Sequence, residues 1–198
     1  MKSKKGTTIQ TCAGALLIVL GAYCSHYAWR AARAHWIYKS AKYGPTQDDL
    51  SVALRSIERA HRLYPHNYRF CIWAAEQAYT RRSEVGGTER QRRYRAAENW
   101  TDVGLALNPF SGPLQLVKAR LLQKRDPAAA ATGWAKYVEW HFWEPYNHAV
   151  LVDLYASAGD FTRAANALDW VKGSEHYEWA MGRLQDAWRA EMTLPPQD

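Results

Sequence analysis

One short stretch of this sequence holds residue types that can bind a metal ion. It contains Glu139, His141, Glu144 and His148. Imidazole nitrogens together with carboxylates can ligate a divalent cation. Pro145 interrupts any helix between these side chains, however, and their spacing matches no standard metal site. Because aromatic residues surround the group, we interpret it as packing between helices and predict no metal site.

The other common signatures of catalysis and cofactor binding are missing from the sequence. It has no glycine-rich phosphate loop, no Cys-x-x-Cys pair, no His-Glu-x-x-His and no Gly-x-Ser-x-Gly. These patterns cover the usual nucleotide, zinc, redox and serine-hydrolase sites. The sequence therefore predicts no catalytic residue and no cofactor, and we expect a protein that is not an enzyme.

Arginines are densest between residues 81 and 95. The six that we call the basic patch are Arg81, Arg82, Arg90, Arg92, Arg93 and Arg95. Glu84, Glu89 and Glu98 alternate with them, and no nucleic-acid-binding module accompanies them, so we expect no nucleic acid. Three interpretations stay open: a solvated face paired with its own glutamates, contact with anionic lipid headgroups, and contact with a partner protein.

Composition excludes several classes of protein. The 198 residues include 47% apolar and 23% charged residues, which is typical of a folded chain and not of a disordered or polytopic membrane protein. Three cysteines cannot form a disulfide scaffold. The net charge of +7 is uneven: residues 30–100 hold 14 basic and 7 acidic residues, whereas residues 101–198 hold 9 and 12. The excess of positive charge thus lies in the N-terminal half.

The N-terminal region predicts a membrane anchor. Residues 7–29 contain no Asp, Glu, Lys or Arg, and these 23 residues exceed the roughly 20 that a helix needs to cross a bilayer. Tyr23, Tyr27 and Trp29 lie near their C-terminal end, where aromatic rings favour the lipid headgroups. We therefore expect a basic flank at residues 1–6 and a single transmembrane helix at residues 7–29. A cleaved signal peptide and a buried first helix are the alternatives.

A helical repeat is indicated by recurring turns and small residues. Prolines 65, 109 and 145 mark three turns, and Ala53 and Ala60 precede Pro65 by 12 and 5 residues. The clearest unit reads Leu151, Tyr155, Gly159-Asp160-Phe161, Ala164 and Leu168. No segment alternates apolar and polar residues long enough to indicate a strand. The chain beyond the anchor is therefore predicted to be all-α.

This spacing resembles the tetratricopeptide repeat (TPR) family, whose 34-residue helix-turn-helix units stack into an α-solenoid. Ala75, Ala97, Gly104 and Pro109 occupy the same slots in the second unit if about ten residues are inserted near residues 81–91. The resemblance implies a repeat domain at residues 30–192. Its expected parts are four helix pairs at residues 34–67, 68–111, 112–147 and 148–173, a capping helix at 174–192, and a tail at 193–198.

The resemblance also implies a groove that binds protein partners. Its positions in this register, which we call the predicted groove, are Arg69, Glu76, Tyr79, Arg120, Lys124, Tyr146 and Asp153. The chain looks like bacterial inner-membrane TPR proteins whose repeat domain faces the periplasm, which implies a non-enzymatic scaffold in a membrane or cell-envelope complex. The alternatives are an accessory or regulatory subunit of a membrane enzyme or transporter, and a glycan-binding or small-ligand-binding module that uses exposed tryptophans.

Overall fold

The structure is a computed structural model that describes the backbone of residues 4–193 and the side chains of residues 13–193 other than residue 46. The tail beyond residue 193 and residues 1–3 of the basic flank lie outside this description. The helices are α1 (Lys4–Tyr43), α2 (Leu50–Leu63), α3 (Tyr68–Thr80), α4 (Gly87–Leu107), α5 (Gly112–Leu122), α6 (Pro127–Val138), α7 (Pro145–Ser157), α8 (Phe161–Asp169) and α9 (Tyr177–Thr193). Short 3₁₀ helices occupy Pro45–Gln47 and Arg81–Glu84. Residues 4–193 contain no strand, so the all-α prediction is confirmed for them.

Aspartate caps set where three of the helices begin. Asp49, Asp126 and Asp160 precede α2, α6 and α8, and each carboxylate accepts hydrogen bonds from backbone N–H groups of the first turn. These N–H groups have no partner within the helix, so the caps stabilise each start. Gly159, at φ +73°, makes the left-handed turn between α7 and α8.

The chain divides into two compact units, Met1–Phe70 and Cys71–Asp198, and the division falls within α3. In the first unit the C-terminal half of α1 packs on α2. Ala34, Ile37 and Ala41 are buried on α1, at the three- and four-residue spacing of one helical face. Ala53 and Ile57 are buried on α2. Small side chains on both helices allow their backbones to approach closely.

Residues 13–23, the part of the N-terminal half of α1 whose side chains the structure describes, include no buried residue. Leu16, Leu17, Ile18, Val19 and Leu20 are each 55–74% exposed. Among the residues that the structure describes, none of the helices is both long enough and apolar enough to cross a membrane. The transmembrane anchor predicted at residues 7–29 is therefore not supported, and the side chains of its residues 7–12 lie outside the description. The helix itself continues to Tyr43, well past the predicted boundary at residue 29.

The second unit is built around α7. This helix contacts α6, α8 and α9, while α4 packs on α5 and α5 packs on α6. Nine of the thirteen residues of α7 are buried, on all sides of the helix. Val150, Val152 and Leu154 are among them, together with the polar Asp153. A helix that is buried all round needs apolar side chains on every face, and any charged group in it needs a partner.

One glycine in the second unit is required by close approach. A Cβ atom placed on Gly104 of α4 would lie 2.5 Å from Cδ1 of Leu114 and 2.8 Å from Cβ of Cys71. Both neighbours are fully buried, so neither has space to move. Burial also raises the pKa of the Cys71 thiol to about 11, so this side chain acts as a small apolar group.

We predict that Gly104→Ala lowers the free energy of unfolding by about 1–3 kcal/mol, the usual cost of overpacking a core. The matched control is Gly133→Ala in α6, because a Cβ there meets no atom within 4 Å. Alanine favours helix over glycine by up to about 1 kcal/mol, so the control should be more stable than the wild type. Urea unfolding followed by circular dichroism measures both. Equal stability of Gly104→Ala and wild type would show that the helices around Gly104 separate without cost.

Candidate functional site

Two members of the predicted groove meet in the second unit. Asp153, on α7, is 2% exposed, and its Oδ2 accepts a hydrogen bond from Arg120 of α5. Its Oδ1 accepts one from Nε of Arg183, on α9, at 2.7 Å. Gln123 Nε2 lies 3.3 Å from Oδ2. We call these four residues the Asp153 cluster.

The cluster keeps a buried carboxylate ionised. Burial alone raises the pKa of Asp153, because a charge is costly away from water. The hydrogen bonds and positive charges of Arg120 and Arg183 outweigh this effect, and the pKa of Asp153 is lowered below its ordinary value. Arg120, Asp153 and Arg183 therefore join three helices to one another.

The remaining members of the predicted groove are divided between the two units. Arg69 lies in the first unit and is exposed, whereas Glu76 and Tyr79 lie in the second unit and are half-buried. Lys124 is exposed and follows the C-terminus of α5. Tyr146, at the start of α7, is also exposed. The partner-binding role of the predicted groove therefore stays a prediction.

Tyr79 and Tyr146 each have an aromatic or cationic neighbour. The guanidinium of Arg82 lies 3.5 Å from the centroid of the Tyr79 ring, within the range of a cation–π interaction. The ring of Tyr146 packs edge to face against His176, with their centroids 5.3 Å apart. A ligand that contacted Tyr79 would first have to compete with Arg82.

Most of the basic patch is engaged within the chain. Arg93 pairs with Glu84 at 3.5 Å and with Glu89 at 3.2 Å. The other contacts are Arg81 with Glu84, Arg92 with Glu89, Arg90 with the carbonyl of Val85, and Arg82 with the carbonyl of Tyr79. Arg95 is exposed. These contacts favour the internally paired interpretation over lipid contact, because the glutamates reduce the net charge of the patch.

The histidines of the possible metal group use their ring nitrogens in the fold. Nε2 of His148 lies 2.7 Å from the carbonyl oxygen of Phe142, and Nδ1 of His141 lies 3.2 Å from that of Tyr137. His148 also stacks on Trp170, with ring centroids 5.1 Å apart. In the part of the chain that the structure describes, no cluster of three His, Cys, Asp or Glu residues could hold a metal ion.

A cleft of about 340 Å³ lies in the second unit between α5 and α6. We call it the α5–α6 cleft. It is lined by Pro109, Phe110, Gln115, Lys118, Ala119, Leu122, Ala130, Gly133, Trp134, Lys136, Tyr137 and Trp140. Phe110 and Trp140 are exposed and contact each other edge to face, with ring centroids 6.5 Å apart. None of the predicted groove residues lines this cleft. Sequence reasoning missed it, although the turn signal at Asn108-Pro109-Phe110 marks one of its ends.

The ten tryptophans divide into two groups. Trp73, Trp100 and Trp134 are buried. The seven exposed ones are Trp29, Trp36, Trp140, Trp143, Trp170, Trp179 and Trp188. Tryptophan is large and apolar, so this degree of exposure marks surfaces that favour contact with another molecule.

Comparison with known proteins gives a likeness of fold alone. No protein-family profile matches the chain, and comparison with curated proteins finds no relative. Among solved structures, the chain is similar to TTC0263, a thermophilic TPR protein of Thermus thermophilus. The TM-score is 0.60 with 16% sequence identity, and the match covers 89% of this chain and 96% of that one. The fold is therefore TPR-like.

We predict that Asp153→Ala lowers the free energy of unfolding by about 3 kcal/mol at pH 7, the lower end for breaking a buried ion pair. The lower end applies because the side chains of Arg120 and Arg183 stay partly exposed to water. Because the folded-state pKa of Asp153 is lowered, this stabilisation is complete above the unfolded pKa of about 3.9 and is lost as the pH falls through the folded pKa. The difference in free energy of unfolding between Asp153→Ala and wild type should therefore narrow below about pH 4.

Asp169→Ala is the matched control, because the Asp169–Lys172 pair is exposed. Exposed pairs contribute about 0–1 kcal/mol, so this variant should stay close to wild type. Urea unfolding from pH 7 to pH 3 measures all three proteins. A stability gap for Asp153→Ala that is no larger than that of the control would contradict a structural role for the cluster.

Proposed function

We propose that this protein is a non-enzymatic TPR-like scaffold that binds protein partners. The observation that carries the proposal is the exposed aromatic surface at the turns of the second unit. Phe110, Trp140, Phe142 and Trp143 are each more than half exposed there. Tryptophan is the residue most enriched among the side chains that dominate protein interfaces. The TPR-like fold supports the same conclusion, since such helix pairs present surfaces to other proteins.

We expect the double variant Trp140→Ala/Trp143→Ala to lose the partner, because both side chains are exposed at one turn. The control is Trp188→Ala on α9, which is similarly exposed but lies on another helix. Affinity purification of the full chain in mild detergent, followed by quantitative mass spectrometry, gives the readout. The proposal predicts a stoichiometric partner that is retained by the control and reduced at least about tenfold with the double variant. Recovery of general chaperones alone from wild type would contradict it.

We also propose that the N-terminal half of α1 attaches the protein to a membrane, as the single-pass anchor expected at residues 7–29. Its support is the run of five large apolar side chains at residues 16–20, all exposed on a continuous helix. Five consecutive residues span every side of a helix, so packing on one face cannot cover them. Transfer of these side chains from water into hydrocarbon is favourable by about 25 cal/mol per Å². The expected location is the bacterial inner membrane, with the C-terminal domain in the periplasm.

Leu17→Glu/Leu20→Glu should move the protein from the membrane pellet to the supernatant after alkaline carbonate extraction. An acidic residue at the centre of a spanning helix costs about 2.5–3.5 kcal/mol, and the variant introduces two. Trp36→Glu is the control, because Trp36 is exposed on the part of α1 that packs on α2. Wild type that is extracted as readily as the double variant would contradict the anchor. In spheroplasts, protease should reach the C-terminal domain without lysis, and protection until lysis would reverse the orientation.

A second candidate function is a glycan-binding or small-ligand-binding module. The seven exposed tryptophans favour it, because aromatic faces stack on sugar rings. Trp29 and Trp36 lie in the first unit and the other five in the second. Saccharide binding by the full chain is measured alongside peptide binding in the experiment below.

A further inference from the structure

We propose that the α5–α6 cleft binds an extended peptide segment that inserts one large apolar side chain between the helices and carries carboxylates on both sides of it. This inference rests on the proposed scaffold function and adds the chemistry of the segment that docks. The site is separate from the predicted groove, with which it shares no residue.

The apolar part of the segment is indicated by the cleft walls. Ala119, Ala130 and Gly133 contribute only small groups, which leaves the space between α5 and α6 open. Trp140 is 68% exposed at the edge, and Phe110 lies beside it. A volume of about 340 Å³ is at the lower end for ligand pockets, which fits one large side chain with its adjoining backbone. An aromatic side chain placed there would be covered by rings on one side and by α5 and α6 on the other.

The acidic part of the segment is indicated by the charges that line the cleft. Lys118 of α5 and Lys136 of α6 are the two charged residues among its lining residues, and no carboxylate is one of them. Both lysines are exposed. One lysine from each helix, with no carboxylate among the lining residues of the cleft, favours carboxylates that flank the inserted side chain.

Hydrogen bonding favours a peptide over a sugar in this cleft. Nε1 of Trp134 already donates to the carbonyl of Asn147 at 2.9 Å, and Nε2 of Gln115 donates to the carbonyl of Pro109 at 2.8 Å. A sugar ring carries a hydroxyl on almost every carbon, and each one that is buried without a hydrogen bond is costly. Ala119, Ala130 and Gly133 supply no side-chain donor or acceptor for them, so the hydroxyls would depend on the two lysines and Tyr137. An apolar side chain needs none.

Gly133 allows the cleft to be filled without disturbing the fold. It lines the cleft, and a Cβ atom built on it meets no atom within 4 Å. Gly133→Leu should therefore place its side chain in the cleft, and leucine is a better helix former than glycine. The matched control is Gly182→Leu on α9, where a Cβ also meets no atom within 4 Å and which does not line the cleft. Thermal unfolding checks that both variants are folded.

The test is fluorescence polarisation with the full chain in mild detergent and three labelled peptides. The probe is Glu-Glu-Ser-Phe-Ser-Glu-Glu, and its counterparts replace Glu by Lys or Phe by Ser. We expect wild type to bind the probe at least about tenfold more tightly than either counterpart. Gly133→Leu and the charge reversal Lys118→Glu/Lys136→Glu should each weaken binding at least about tenfold, whereas Gly182→Leu should bind as wild type does.

Two results would overturn the inference. One is that Gly133→Leu binds the probe as tightly as wild type does, or that wild type binds the lysine peptide as tightly as the probe. The other is displacement of the probe by a uronic-acid oligosaccharide that binds more tightly, which would assign the cleft to an anionic glycan. Partner capture separates this inference from the proposed function. If Gly133→Leu and wild type retain the partner equally, the scaffold function stands and the cleft is not its docking site. If neither wild type nor any variant captures a partner, the scaffold function itself is overturned.

Discussion

The second unit depends on one buried charge. Asp153 lies near the middle of α7, the helix that contacts α6, α8 and α9. An ionised carboxylate in that position would destabilise the fold without cationic partners, and Arg120 and Arg183 supply them from α5 and α9. The two arginines can reach the same carboxylate only if α5 and α9 lie beside α7 at the observed register. An apolar core tolerates sliding between helices more readily, because dispersion contacts have little directionality, whereas the hydrogen bonds of Asp153 favour a single arrangement.

The second constraint is close contact between helices, which requires small residues where the helices meet. Alanine and glycine occupy the buried faces where helices meet: Ala34 and Ala53 in the first unit, Gly104 and Ala164 in the second. Leu114 of α5 faces Gly104 of α4, and its large side chain fills the space that a Cβ atom on Gly104 would need. Small and large residues therefore complement each other across a contact. This complementarity is why a spacing of small residues in the sequence contains information about helix pairs.

The spacing of small residues explains which parts of the fold could be predicted from the sequence. The helical class and the TPR-like likeness follow from turn prolines and small residues, which are local signals with a fixed spacing. The role of Arg183 could not be found in this way. A buried acid requires a cation, but α9 and the loops offer several, and only the three-dimensional register selects one. Sequence reasoning assigned Arg120 and Asp153 to the predicted groove without pairing them, since a repeat register assigns positions and not partners. The α5–α6 cleft is formed by residues from the turn at Pro109 to Trp140, and apart from that turn signal they carry no motif.

Exposed apolar surface occurs in two chemically different forms in this chain. At residues 16–20 it is aliphatic, surrounds the helix and has no charged side chain within it, which is the basis of the proposed membrane attachment. At the turns of the second unit it is aromatic, and Lys118 and Lys136 line the cleft beside it. Rings with adjacent charges can bind a partner of defined shape and sign, which a lipid phase does not have. The two surfaces therefore support the two proposals separately, membrane attachment for the first and a docked protein segment for the second. Within the second unit, the Asp153 cluster keeps the α5 wall of that cleft in register with α7 and α9 through Arg120.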